Sequence, residues 1–381
     1  MSTQTTDLPK TEFIHPSDFD VTETVPSIDV KSSEVSSYML KLKGMCYTRV
    51  KFKCVVVKDP NTRTILLSKD FLDEVKKILP DISIGEAQVK LSISNFTLQE
   101  VMRKYIPKEI TLPTSFETVG SLAHLNLKDE QMQYKHYIGE ALLLKNFPRI
   151  KTVITKLEEI TNEFRTFPLE VIAGEKSTEV QVVCHGVKFK LDFAECYWNS
   201  RLETEHTIIV GEMKKGETLI DAFAGVGPFA IPAALKGVLV YANDLNPASV
   251  KYMKINAEMN KATLNCECMD ARDYMRKVVL ELKVQPNFIL MNLPATAVNF
   301  LDVIPELMLA DCVIKCYGFS ALKDATDLQE KAWELMKEKY PISVRVVRDV
   351  APKKIMYCLS IHVTTLKRTS NGEEPETKRV L

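Results

Sequence analysis

The chain predicts an α/β fold on a Rossmann-like, parallel-type sheet, and three observations in its C-terminal half carry that prediction. Residues 219–234 read LIDAFAGVGPFAIPAA: an apolar run ending in Asp221, a turn with Gly225 and Gly227, then an Ala-rich run. That order is strand, glycine loop, helix. Glycines there let the backbone approach a ligand closely, and the following helix start offers free N–H groups. A second apolar run, 238–242, ends in Asp244, 23 residues after Asp221, which puts another carboxylate at the edge of a neighbouring strand. A third run, 288–291, closes in Asn292-Leu293-Pro294. Strands alternate with helical stretches such as 247–260 across residues 211–366, and βαβ spacing implies a parallel sheet.

The elements before that domain follow in chain order. Residues 1–35 are polar and punctuated by Thr, Ser, Asp and Pro, which predicts a disordered arm. Residues 36–110 read as a small α+β domain, with strands at 38–42, 49–57 and 89–92 and a helix at 68–78. Pro107 to Pro113 reads as a linker. Residues 114–210 form a middle α+β region with a helix at 128–142. The charged, apolar-poor stretch 367–381 predicts a disordered tail, and no internal repeat is found.

At 381 residues the chain is long enough for two or three domains with large cores. Fifty basic and fifty acidic residues balance, which argues against indiscriminate nucleic-acid binding. Local clusters differ: Lys41, Lys43, Arg49, Lys51 and Lys53 alternate along a strand-like segment, and Lys145, Arg149, Lys151 and Lys156 recur later. Such a stripe fits a solvated sheet face as well as a phosphate contact. Nine cysteines lie scattered; Cys266-x-Cys268 and Cys312-x-x-x-Cys316 lack the partners of a metal site, so free thiols in a reducing compartment and no metal are expected. No apolar run reaches a membrane span of about 18 residues, and no signal peptide begins the chain. The first 30 residues hold six acids and one base, the opposite of an Arg-rich transit peptide, so a cytosolic protein without membrane contact is expected.

Gly225-x-Gly227-x-x-Ala230 also satisfies the dinucleotide pattern. Two details favour S-adenosylmethionine over NAD. Asp221 precedes the glycines, where a carboxylate can hold a methionine ammonium but would repel a pyrophosphate. An Asn-x-Pro turn at a strand end offers amide and carbonyl acceptors to a ring or exocyclic amine, as an amino-methyltransferase needs. The expectation is a class I S-adenosylmethionine-dependent methyltransferase domain, with a NAD enzyme or a purely structural glycine turn as alternatives.

The segments VGSLAHLNL (119–127), IGEALLLKN (138–146) and IKTVITK (150–156) resemble the middle domain of the archaeal–eukaryotic tRNA (guanine-N1)-methyltransferases. The likeness continues through FRT (164–166), IAGE (172–175), YWNSRLETEH (197–206) and the Gly225, Asp244 and Asn292-Leu293-Pro294 set, and ends near VAPKKIMYC (350–358). Several motifs in order make it more specific than a lone glycine loop. The unit before residue 110 resembles the family's small tRNA-contacting domain only weakly. The resemblance implies a monomeric enzyme with tRNA as partner that methylates guanosine 37 beside the anticodon, in the cytoplasm, with nucleus and mitochondrial matrix as further compartments.

The chemistry sets its own demands. Guanine N1 carries a proton at neutral pH, so a general base must remove it as the methyl arrives. Glu205 is the candidate, because it precedes the methyltransferase domain where a domain junction makes a cleft. Charge developing on guanine O6 calls for a cation, and Arg165 suits it. Asn292 and the Pro294 carbonyl can hold the base edge, while Tyr197 can stack on the extruded ring. The resemblance gives Arg165, Glu205 and the Asn-Leu-Pro turn the same roles, and implies that Asp221, Asp244 and Asp270 line the cofactor pocket. Asp273 competes with Asp270. Without the resemblance, Glu205 reads as a surface helix-start carboxylate and Arg165 as an exposed strand charge. Arg201 either touches phosphate or pairs with Glu203. Trp198 is expected in the core, and His206 in a structural role. The rival functions are aminocarboxypropyl transfer from the same cofactor, as in wybutosine-type modification, and a tRNA binder without catalysis.

Overall fold

A computed structural model describes residues 8–157 and 168–364. The chain divides into two compact units, one holding residues up to 159 together with 168–177, the other holding 178–364 of the described residues.

The first unit contains two sheets. β1 (Val21–Lys31), β2 (Val55–Val57), β3 (Thr62–Leu66) and β4 (Gly85–Leu91) form one in the order β2-β3-β1-β4. β5 (Glu117–Val119), β6 (Leu122–Leu125), β7 (Thr152–Lys156) and β8 (Leu169–Gly174) form the other in sequence order. The helix Leu98–Arg103 begins where Thr97 and Glu100 cap each other's backbone N–H groups, as Thr-x-x-Glu in the sequence dictates. The helix Lys135–Asn146 buries Ile138 and Ala141–Leu144 against β7 and β8 in a core shared with Ile14, Phe19, Ile93 and Val101.

Several expectations for this region fail. The predicted disordered arm is ordered from residue 8: β1 lies inside its sheet, paired to β3 and β4. It is clamped from behind, because the buried Glu140 carboxylate accepts from the backbone N–H groups of Glu12, Phe13 and Ile14 at 2.7–2.9 Å. The strand expected at 38–42 is the helix Val35–Lys41, and of 49–57 only β2 is strand. The alternating basics therefore share no sheet face. Lys41 sits on a helix, Lys43, Arg49, Lys51 and Lys53 in irregular chain, and Arg49 is committed to Glu23 and Glu100 at 2.8 and 2.9 Å. The helices near 68–78 (Leu72–Ile78) and 128–142 (Asp129–Met132, then Lys135–Asn146) and the strand near 89–92 are present. The described residues of the segments expected as separate domains at 36–110 and 114–210 lie in one unit as far as 157 and again over 168–177.

The second unit takes up residues 178–210 as well, so its border lies before the expected 211. The hairpin of β9 (Glu179–Cys184) and β10 (Val187–Asp192) is held to the helix Pro247–Asn260 by two side-chain amides that imitate a neighbouring strand. Asn256 bonds the N–H and C=O of Lys190 at 2.7 and 3.0 Å, and Asn260 those of Lys188 at 2.9 and 2.6 Å. That helix starts on the Asn246 side chain, with Pro247 at its first position.

The main sheet runs β13 (Asn265–Glu267), β12 (Leu239–Asn243), β11 (Thr218–Asp221), β14 (Phe288–Met291), β15 (Cys312–Ser320), β17 (Lys354–Val363), β16 (Ile342–Ala351). β11 to β15 are parallel, while β17 and β16 return antiparallel. Every residue of β14 is buried, as an apolar strand covered on both faces requires. From β11 the chain winds one way to β12 and β13, then crosses to β14 and β15 on the other side. The carboxyl ends of β11 and β14 therefore flank the switch point where such sheets bind ligands.

Candidate active site

A cavity of about 640 Å3 opens at that switch point. Its wall comes from the ends of β11, β12 and β14 and from the β16–β17 hairpin.

Asp221, the last residue of β11, lies behind the wall, fully buried beside Ala222 and Phe223, which line it. Neither of its oxygens receives a hydrogen bond of good geometry. Burial, then the nearby Asp244 charge, push its carboxyl up to about 8, tempered only by the Phe223 amide. Asp244 lines the cavity and accepts from the Gly225 and Asn246 amides at 2.8 and 2.9 Å; burial outweighs those bonds and raises its pKa too. Two carboxylates with no cation to balance them are costly unless a cationic ligand arrives. Gly225 lies in the wall at φ +56°, and a side chain there would enter open space. Gly227 does not line the cavity. At φ +95° it packs against Ile231 and shapes the loop.

Asp270 is in the wall and caps the helix Ala271–Arg276 through the Arg272 amide at 2.8 Å. Asp273 pairs with Arg276 at 3.0 Å and is not in the wall. Asn292 lines the cavity with its side-chain oxygen buried and unpartnered. Pro294 lines it as well, but its carbonyl already accepts from the Phe319 amide at 3.2 Å, leaving one lone pair. Tyr197 stands in the wall, 43% exposed, while Trp198 is buried against Phe189, as expected. Arg201 is exposed outside the wall. Arg165 falls outside the described residues.

Glu205, expected at a cleft as the base and otherwise read as a surface carboxylate, is in neither place. It is 4% exposed and outside the wall, three residues beyond Leu202, which lines it. Arg345 grips it with two bonds of 2.6 and 2.8 Å, and the Tyr317 hydroxyl donates to it at 2.5 Å. The neighbouring His206 is buried against Phe229 and depressed to about 4 by burial, which keeps it neutral and structural.

Sequence reasoning missed four participants. Asn243 laces the strand ends together, donating to the carbonyls of Ala222 and Met269 and accepting from the Met269 amide. Phe223 and Phe300 pack edge to face at 5.0 Å in the wall, an apolar surface suited to a flat ring. Arg348 is the one Lys or Arg in the wall, and no carboxylate among the described residues pairs with it. Its signal was its place two residues before the VAPKKIMYC segment.

Comparison with known proteins agrees with this geometry. Residues 180–347 match the TRM5/TYW2 methyltransferase domain, and residues 98–178 match the TYW2 N-terminal domain. A tRNA (guanine(37)-N(1))-methyltransferase of Entamoeba histolytica is 60% identical over 377 residues, 98% of each chain. Among solved structures, Trm5b from Pyrococcus abyssi is 29% identical with a TM-score of 0.63, over 89% of this chain and 99% of that one. The complex of aTrm5 with tRNALeu is 25% identical with a TM-score of 0.70, over 89% and 100%.

Proposed function

The chain belongs to the tRNA (guanine(37)-N(1))-methyltransferase family, and from that premise we propose how its residues methylate N1 of guanosine 37 in tRNA. The observation that carries the assignment is the full-length 60% identity, joined to a switch-point cavity whose buried acids await a cation. Bound S-adenosylmethionine supplies an electrophilic methyl on a sulfonium centre.

The chain's own groups do the rest. Asp221 ionises when a cation comes near, and Asp244 and Asp270 offer acceptors in the wall. Phe223 and Phe300 keep water from the flat part of the cofactor. The unpartnered Asn292 oxygen accepts from a guanine N–H, and the free lone pair of Pro294 stands beside it. Tyr197 stacks on the extruded base; stacking of this kind is worth about 1–3 kcal/mol. Glu205 takes the N1 proton, and Arg165 steadies charge on O6. Lys and Arg of the first unit hold the tRNA away from the anticodon. The protein acts as a cytosolic monomer; among the described residues no helix is long and apolar enough to cross a membrane.

The test is transfer of label to unmodified tRNA transcripts carrying guanosine or adenosine at position 37. Cofactor labelled in the methyl group is run beside cofactor labelled in the aminocarboxypropyl arm. Methyl label on the guanosine transcript alone is expected. Arm label transferred instead would assign the wybutosine-type reaction, and no transfer despite cofactor binding would leave a tRNA binder.

A further inference from the structure

Glu205 receives three hydrogen bonds before any substrate arrives, from two donors of different character. Tyr317, on β15 in the sheet interior, is fully buried and donates to Oε1. Arg345, on the edge strand β16, has 40% of its side chain exposed and donates to both oxygens. One donor is fixed and the other can leave. A carboxylate chelated by a guanidinium is a poor acceptor for a proton from N1, because the cation stabilises its charge and occupies one lone pair on each oxygen.

We propose that Arg345 is a positioning residue acting as a latch: it chelates the Glu205 carboxylate in the free enzyme and swings away once tRNA is seated. Tyr317 then keeps Oε1 in place while Oε2 accepts the N1 proton as the methyl bonds to N1, so the proton lost by guanine ends on Glu205. The swing needs a better partner for the guanidinium in the complex, and an RNA phosphate matches its bidentate geometry. This inference rests on Glu205 being the base.

Four groups face Glu205: His206 on its own helix, Tyr317 on β15, Arg345 on β16 and Cys358 on β17. Burial holds His206 down at about 4 and lifts Cys358 to about 11 and Tyr317 far above its ordinary value, while hydrogen bonding to Glu205 raises Arg345. None of them changes charge between about pH 5 and pH 9, so a difference in pH dependence between variants in that window does not come from them. Asp221 titrates there as well, but every variant shares it.

The experiment is single-turnover methyl transfer to a guanosine-37 transcript at saturating cofactor, from about pH 5 to pH 9. It compares wild type with Glu205→Gln, Arg345→Gln and Arg345→Lys, each checked by thermal melting. In Arg345→Gln the acidic limb moves up by about one pH unit, a tenfold loss at the acid end, while the alkaline plateau equals or exceeds wild type. Arg345→Lys keeps the charge, holds the limb near wild type and reaches a plateau at least as fast. A folded Arg345→Gln whose limb stays put, or whose rate falls equally at every pH, overturns the latch. So does a slower plateau in Arg345→Lys, which answers the question even where the Gln variant does not fold. Undiminished activity in Glu205→Gln overturns the base assignment itself, an outcome distinct from either failure of the latch.

Discussion

Asp221 is the residue whose environment departs furthest from what its chemistry prefers. Its carboxyl is fully buried, lacks a good donor and faces Asp244, so its pKa rises from about 4 in the unfolded chain to about 8. A raised folded pKa in an acid means that the stability it contributes is fully present below about pH 4 and is lost as pH rises through about 8. The ligand-free protein should therefore lose stability between about pH 4 and pH 8, and Asp221→Asn should flatten that slope. At neutral pH Asp221→Asn should melt higher, by on the order of 1–3 kcal/mol, while losing cofactor binding. Calorimetric melts with titration of S-adenosylmethionine check both; a variant that melts lower yet still binds would refute this account of the site. Arg348 makes the opposite prediction. It is a cation in the wall without a carboxylate, so Arg348→Ala should leave the melting temperature nearly unchanged and cut kcat/KM by about 10- to 100-fold. Steady-state kinetics at fixed pH decide it.

At the scale of elements, the glycine loop separates two requirements that the sequence presents alike. A Cβ at Gly227 would lie 2.7 Å from Ile231 Cδ1 on a residue held at φ +95°, whereas one at Gly225 meets nothing within 4 Å. Gly227→Ala should therefore unfold the second unit more readily, by about 2 kcal/mol or more. Gly225→Ala should cost only about 1–2 kcal/mol of backbone strain, yet intrude on the cavity and weaken the cofactor. Denaturant melts beside binding isotherms distinguish the two. Both glycines were legible as a loop because each strand before and after it is a short apolar run with an acid at its end. β1 was not legible: VTETVPSIDVK is polar on one face, carries Pro26, and is a strand because of partners 31 to 70 residues away. The same distance hid the setting of Glu205. Its identity was readable in its local motif, but Arg345 and Tyr317 lie 140 and 112 residues further on, and nothing local signals them.

For the molecule as a whole, a formal net charge of zero means that affinity for RNA must come from a few placed cations rather than from a long-range field. The structure sorts the basic segment that the sequence left ambiguous. Arg49 is half-buried between Glu23 and Glu100, so its charge is already spent inside the fold; Lys51 and Lys53 are exposed in irregular chain on the same unit. Each lysine that meets a phosphate releases about one counterion, and log affinity falls with log salt in proportion to their number. Lys51→Ala with Lys53→Ala should therefore shallow the salt dependence of tRNA binding by about one to two units. It should leave discrimination between guanosine and adenosine at position 37 untouched, because such contacts orient the RNA without reading the base. Arg49→Ala should do the reverse, lowering the melting temperature of the first unit through two unpaired carboxylates while leaving the slope where it is. Filter-binding at several salt concentrations on the two variants reads this directly. A slope that responds to Arg49 and ignores the lysines would mean that the ion pairs to Glu23 and Glu100 open when RNA binds.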